Sequence, residues 1–221
     1  MHAVIFDFDG VLADTERLHY AALRDTLAAE GWSLSYDTYL AEYLGYDDRG
    51  CVTVFASSQG VTLDDRRLEY LLRDKEQRYA EHLAAGRVLY PAAAPCISRL
   101  GAAFPLAIAS GSLRGEIERI LAANDLRHAF HAIVGADDVR EGKPHPESYQ
   151  RAADALGVAP GAAVAIEDSP WGLQSARGAG LRTIGITTSY GPEGLTHADH
   201  IVNSLDEVTP AFVRQLLAGN G

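Results

Sequence analysis

Residues 3–12 read Ala3-Val4-Ile5-Phe6-Asp7-Phe8-Asp9-Gly10-Val11-Leu12. Four apolar residues run without interruption and stop at two acids separated by a single residue. A run this short and this uniformly apolar suits a parallel strand covered on both faces. The acids then stand at its carboxyl end. The pattern recurs along the chain: Leu106–Ala109 ends in Ser110, Ala132–Val134 in Gly135, Val164–Ile166 in Glu167-Asp168, and Thr183–Ile186 in Thr187.

Helical patterns lie between these runs. Ser112 is placed to cap a helix whose Leu113, Ile117, Ile120 and Leu121 share one face. Pro146 suits a first helical position, with Tyr149, Ala152 and Leu156 on one side before Gly157 ends the helix. Trp171–Ala179 reads as another helix, closed by Gly180. Strands alternating with helices predict an α/β fold, a doubly wound (Rossmann-like) parallel sheet. Residues 16–85 break the alternation. Two long helical patterns, Glu16–Glu30 and Asp64–Ala85, flank a less regular stretch, which predicts an all-helical insert. The expected division is therefore a core of residues 1–15 and 86–221 and a helical domain of residues 16–85.

Composition narrows the class. The 221 residues are 47% hydrophobic and 22% charged, ordinary for a globular protein, with a formal net charge of −11. That charge argues against nucleic acid or an anionic membrane as partner. An anionic small substrate then needs local positive charge or a cation. No apolar run approaches the roughly 18–20 residues of a membrane span, and Ala3–Phe6 is too short for a signal peptide. Cys51 and Cys96 lack metal-ligand spacing and read as free thiols, so a cytoplasmic location is expected. The pairs His128/His131 and His197/His200 read as surface residues. Nothing in the pattern forces a dimer, so a monomer or weak homo-oligomer is expected.

In open α/β sheets ligands bind beyond the carboxyl ends of the strands. Asp7, Asp9, Glu167 and Asp168 would gather there, and four crowded carboxylates repel one another unless a cation neutralises them. An all-oxygen cluster suits Mg2+. Ser110-Gly111-Ser112 ends another strand and could hold a phosphoryl oxygen on its N–H groups and hydroxyl. Lys143, in the turn Gly142-Lys143-Pro144, supplies the positive charge that an anionic substrate requires.

These residues resemble the motifs of the haloacid dehalogenase superfamily. The first stands as Asp7-Phe8-Asp9-Gly10-Val11-Leu12, the second as Ser110, the third as Lys143-Pro144, and the fourth as Glu167-Asp168-Ser169. The helical insert, with Glu167 to Leu173, resembles the β-phosphoglucomutase-like branch, in which the insert is a cap. The resemblance implies that Asp7 attacks phosphorus to form an aspartyl phosphate and that Asp9 serves as acid and base. It implies Mg2+ on the side chains of Asp7 and Asp168 and on the Asp9 carbonyl, with Glu167 binding directly or through water. Lys143 and Ser110 would stabilise the phosphoryl oxygens. Asp9 argues against dehalogenases and phosphonatases, whose versions of the motif lack a second acid.

Phosphatase and phosphomutase both remain open, with a small phosphorylated metabolite as substrate. The resemblance places Thr15, His19, Gly45, Arg49, Lys75, Gly111, Ser112 and Arg114 among the substrate-binding residues. His19 shares a helix face with Leu23 and Leu27, and Lys75 interrupts an apolar stripe of Leu68, Leu72 and Tyr79. Lys75 either snorkels to solvent or binds the distal group of the substrate. In the loop Leu44 to Gly50, Leu44 and Asp48 stand where the mutases carry a lysine and an arginine. Arg114 stands where they carry an asparagine. These departures favour a phosphatase of a small metabolite such as a sugar phosphate. Hinges are expected near Asp14–Glu16 and Val88–Pro91.

Overall fold

A computed structural model describes residues 1–43, 46, 48–85 and 88–219. Its contacts divide the chain into two units, Met1–Asp14 with Leu89–Gly221, and Thr15–Val88.

The first unit is an α/β layer structure. Its strands are β1 (Ala3–Phe6), β2 (Leu106–Ala109), β3 (Phe130–Val134), β4 (Ala163–Glu167), β5 (Arg182–Ile186) and β6 (His200–Val202). All pairings are parallel, in the order β3-β2-β1-β4-β5-β6. The chain thus builds outward from β1 to β3 and then returns to the other side of β1. This reversal between β1 and β4 is the switch point at which such sheets bind ligands. Every residue of β1, β2 and β4 is buried, which is why these strands read as uninterrupted apolar runs.

One face of the sheet is rich in alanine. Ala3, Ala107, Ala109, Ala163 and Ala165 share a core cluster with Tyr149, Ala152, Ala153 and Leu156 from the helix Glu147–Leu156. The alanines leave room for the Tyr149 ring, which is fully buried. Gly157 closes that helix in the left-handed region at φ 64°, where glycine carries no Cβ penalty. The helix begins one residue later than expected, with Pro146 as its N-cap.

In chain order the helices are α1 (Thr15–Ala29), α2 (Tyr36–Thr38, a single turn), α3 (Asp48–Ser58), α4 (Asp65–Ala85), α5 (Ala93–Gly101), α6 (Arg114–Ala123), α7 (Glu147–Leu156), α8 (Pro170–Gly178) and α9 (Pro210–Ala218). Helices α1 to α4 form the second unit, together with a π-helical stretch at Tyr39–Tyr43. Its core gathers Leu23, Leu27, Tyr39, Tyr43, Val52, Phe55, Leu68 and Leu71. The unit is inserted between β1 and α5. Where the chain leaves and re-enters the α/β unit, Ala13 bridges Leu89 and the Tyr90 N–H donates to the Leu12 carbonyl at 3.0 Å. Both cysteines are buried thiols, and among the described residues no helix is long and apolar enough to cross a membrane.

Among the described residues, Ser148 Oγ on α7 is the one buried side-chain polar atom without a hydrogen-bond partner. An unsatisfied buried hydroxyl costs about 1–3 kcal/mol, and alanine is the better helix former. Ser148→Ala is therefore expected to raise the unfolding free energy by about 1 kcal/mol, read as a higher urea midpoint at unchanged slope. A lower midpoint would contradict this account.

Candidate active site

The Asp7 N–H donates to the Ile166 carbonyl at 2.9 Å, extending the β1–β4 ladder by one residue. This sets the Asp7 carboxylate beside those of Glu167 and Asp168 at the end of β4. Among the described residues these three acids each offer an oxygen, all within 4.8 Å of one another. All three are buried. The chain then turns sharply: the N–H groups of Leu12 and Ala13 both donate to the Phe8 carbonyl, at 2.9 and 3.0 Å. Gly10 occupies this turn at φ 75°, and a Cβ there would run into the Asp168 carboxylate.

Lys143, from the segment between β3 and α7, ties the acids together. Its Nζ donates to Asp7 Oδ1 and to Glu167 Oε1, each at 2.6 Å, and lies 5.1 Å from the centre of the Tyr149 ring. Glu167 is saturated. Oε1 also accepts the Tyr149 hydroxyl at 3.0 Å, and Oε2 accepts the N–H groups of Asp168 and Ser169 and the Ser169 hydroxyl, at 3.0, 3.2 and 3.1 Å. Ser169 is the N-cap of α8, so the carboxylate is held by the two residues that lead into that helix. Gly172 lies in the first turn of α8, and a Cβ there would fall on the Glu167 carboxylate.

Three carboxylates face one ammonium in a buried volume. Burial pushes the Asp7 carboxyl well above the usual range; Lys143 opposes this, while Glu167, Asp168 and Asp9 add to it. Burial and then Glu167 push Asp168 up to about 7. Burial alone would lower Lys143, but the charges of Asp7 and Glu167 overcome it and hold the ammonium above its ordinary value. The excess negative charge and the all-oxygen donors fit a divalent cation.

Asp9 points its Oδ2 at two hydroxyls. Ser110 Oγ donates at 2.9 Å and Ser112 Oγ at 2.8 Å, and the Ser112 N–H donates back to Ser110 Oγ at 2.9 Å. The expected capping role of Ser112 is thereby corrected. The N-cap of α6 is Leu113, which makes no side-chain cap bond, and the serine hydroxyl goes to Asp9 instead. Space beside Gly111 is open. The Arg114 guanidinium sits against Glu118 and Asp138, 3.5 Å from each.

The remaining expected residues belong to the helical unit. Thr15 is buried at the start of α1, and Arg49 is exposed in the first turn of α3. Gly45 lies outside the described residues, as do Leu44 and Asp47. Lys75 does not snorkel. It is 2% exposed, and its Nζ lies 2.8 Å from His19 Nδ1 and 2.7 Å from Asp48 Oδ1. Tyr79 stacks on the His19 ring at 4.4 Å and presents its own ring to Lys75 at 5.3 Å. Sequence reasoning missed Asp48 as a member of this cluster, though an acid standing where mutases carry an arginine was the signal. It also missed the hydroxyl of Tyr149, which read only as a helix-face residue.

The sequence model of the haloacid dehalogenase-like hydrolase family matches residues 4–186. The chain belongs to this family. A relative within it is protein CbbY of Rhodobacter capsulatus, 38% identical over 199 residues, covering 86% of this chain and 87% of that protein. Fructose-1-phosphate phosphatase YqaB of Escherichia coli is 32% identical, over 83% of this chain and 95% of its own length. A mutant form of CbbY from Rhodobacter sphaeroides, solved in complex with xylulose-(1,5)bisphosphate, superposes with a TM-score of 0.76. It is 32% identical, over 94% of this chain and 96% of that one. The haloacid dehalogenase-like match begins within β1 and ends with β5, so it spans every buried acid described above.

Two outcomes test this geometry. Gly172→Ala gains up to about 1 kcal/mol of helix propensity but must displace a carboxylate held by five donors. Overpacking costs about 1–3 kcal/mol and each lost charged hydrogen bond about 1.5–3 kcal/mol, so steric conflict wins. The variant should melt well below the wild type; an equal or higher melting temperature would refute the packing. The second concerns Asp168, which binds its proton more tightly folded than unfolded. Between about pH 4 and 7 only the folded state keeps that proton, so stability falls as pH rises through this window. Without divalent cations, Asp168→Asn should melt above the wild type at about pH 8 and lose that advantage near pH 4. A variant that melts lower at the higher pH would show that burial and repulsion of the Asp168 charge are not what strain the cluster.

Proposed function

We propose that this chain is a magnesium-dependent phosphatase of small sugar phosphates that works through an aspartyl phosphate on Asp7. The carrying observation is the conjunction at one sheet edge of a buried Asp7 bonded to Lys143 and an Asp9 aimed by two serine hydroxyls. An Asp7 oxygen attacks phosphorus, the bond from phosphorus to the sugar oxygen breaks, and that oxygen takes a proton from Asp9. Asp9, now ionised, removes a proton from a water that attacks the aspartyl phosphate. Inorganic phosphate leaves and both acids return to their starting forms. Lys143 stays charged throughout, held so by Asp7 and Glu167, and offsets charge on the phosphoryl oxygens.

Asp7 and Asp168, with the Asp9 carbonyl, are the groups that would hold magnesium. Glu167 adds its charge, its own oxygens being taken up by five donors. Magnesium, when bound, supplies positive charge that neutralises the acid cluster and the phosphate together. The sugar phosphate class is supported by what two relatives are named for or solved with, fructose 1-phosphate and xylulose-(1,5)bisphosphate.

A phosphatase is favoured over a phosphomutase by the helical unit. A mutase must grip a second phosphate, and the buried cation available there, Lys75, is already neutralised by Asp48. We assign Thr15, His19, Arg49 and Lys75 to substrate selection, with His19 and Lys75 acting as one hydrogen-bonded unit.

Phosphate release from a panel of sugar phosphates is expected only with Mg2+, in step with loss of substrate. Asp7→Asn should lower turnover by at least about a thousandfold. Conversion of one sugar phosphate to its isomer without released phosphate would overturn the phosphatase. Wild-type turnover in Asp7→Asn would overturn the nucleophile.

A further inference from the structure

The segment after β5 makes contacts that none of the roles above uses. Thr188 donates its hydroxyl to the Gly10 carbonyl. The Ser189 hydroxyl lies beside the Asp168 carboxylate, both groups crowding the place where a Gly10 Cβ would sit. Tyr190 meets Trp171 edge-on, with ring centroids 5.4 Å apart. Three consecutive residues therefore grip three elements: the turn after β1, the segment ending β4 and the start of α8. The segment is itself anchored to the sheet, since the Thr187 N–H donates to the Val202 carbonyl and its hydroxyl to Asn203 Oδ1, both at 3.1 Å.

We infer that Thr188 and Ser189 are positioning residues for the divalent-cation site: Ser189 orients the Asp168 carboxylate, and Thr188 fixes the Gly10 turn that carries Asp7 and Asp9. The inference rests on the magnesium-dependent reading of that site. Thr188 and Ser189 are exposed, so water could satisfy their hydroxyls in any other arrangement. What the two hydroxyls contribute is direction. A carboxylate free to rotate presents its oxygens to a cation only part of the time, and one pinned by a donor keeps one edge turned to it. Groups that hold a metal-binding side chain in this way are typically worth about 10–100-fold in metal affinity. The Gly10 turn has the same need, because two acids leave the sheet through it and its glycine leaves no side chain to lock it.

Calorimetric titration of Mg2+ into the full chain tests this directly, without reference to any substrate. Ser189→Ala is expected to weaken Mg2+ binding by about tenfold or more and to raise the Mg2+ concentration for half-maximal phosphate release in parallel. Thr188→Val should shift both in the same direction. Ser189→Thr, which keeps the hydroxyl, should restore binding to within about threefold of the wild type. Wild-type binding that neither Ser189→Ala nor Thr188→Val weakens by more than about twofold would overturn the inference alone. A loss shared by Ser189→Thr would assign the effect to loop packing and overturn it too. A wild-type chain that binds no Mg2+ would remove the magnesium reading itself, and this inference with it.

Discussion

Three carboxylates and one ammonium share a volume from which most water is excluded, and charge of one sign in such a volume is expensive. Much of the α/β unit can be understood as the means of holding that arrangement. Residue-by-residue register between β1 and β4 brings Asp7 level with Glu167. Lys143 is drawn between them although 136 positions separate it from Asp7 in the chain. The two residues that lead into α8 aim two N–H groups and a hydroxyl at Glu167, and α7 contributes a tyrosine hydroxyl. Gly10 and Gly172 stand where a side chain would strike the Asp168 and Glu167 carboxylates. The imbalance of charge that is left is what suits the site to a divalent cation.

The sheet was legible in the sequence because its central strands are buried on both faces. Apolar side chains fill the interior of these strands, and the acids come only where the runs end. Strand β6 was not, and the reason is physical. It is three residues long, lies at the sheet edge and runs from an exposed His200 to a buried Val202, so no periodic signal forms. Helix α9 escaped because it follows the last long apolar run and has no later strand to frame it.

The acids and Ser110 were singled out from residue type at a strand end, and Lys143 from its place in the turn Gly142-Lys143-Pro144, which is local information. Partners were harder to foresee. Ser112 looks like a helix cap by every local rule, yet its hydroxyl belongs to Asp9, 103 residues earlier. Lys75 was identifiable as a cation on an apolar stripe, but its acid, Asp48, comes from another helix across an irregular stretch. Tyr149 packs as its periodicity demands, and periodicity is silent about where a hydroxyl goes. In each case a long-range contact decided among options that the local sequence left equal.

The pairing of Leu12–Ala13 with Leu89–Tyr90 has a wider meaning. Seen from the sheet, the whole helical unit is a single long loop whose ends already touch, and the entropy of closing a loop grows only slowly with its length. The two units also keep separate apolar cores. Such a unit can be enlarged, shortened or traded for another with little strain on the scaffold that carries Asp7. The helical unit and the scaffold of the acids can thereby vary independently, one part being exchanged while the other is kept.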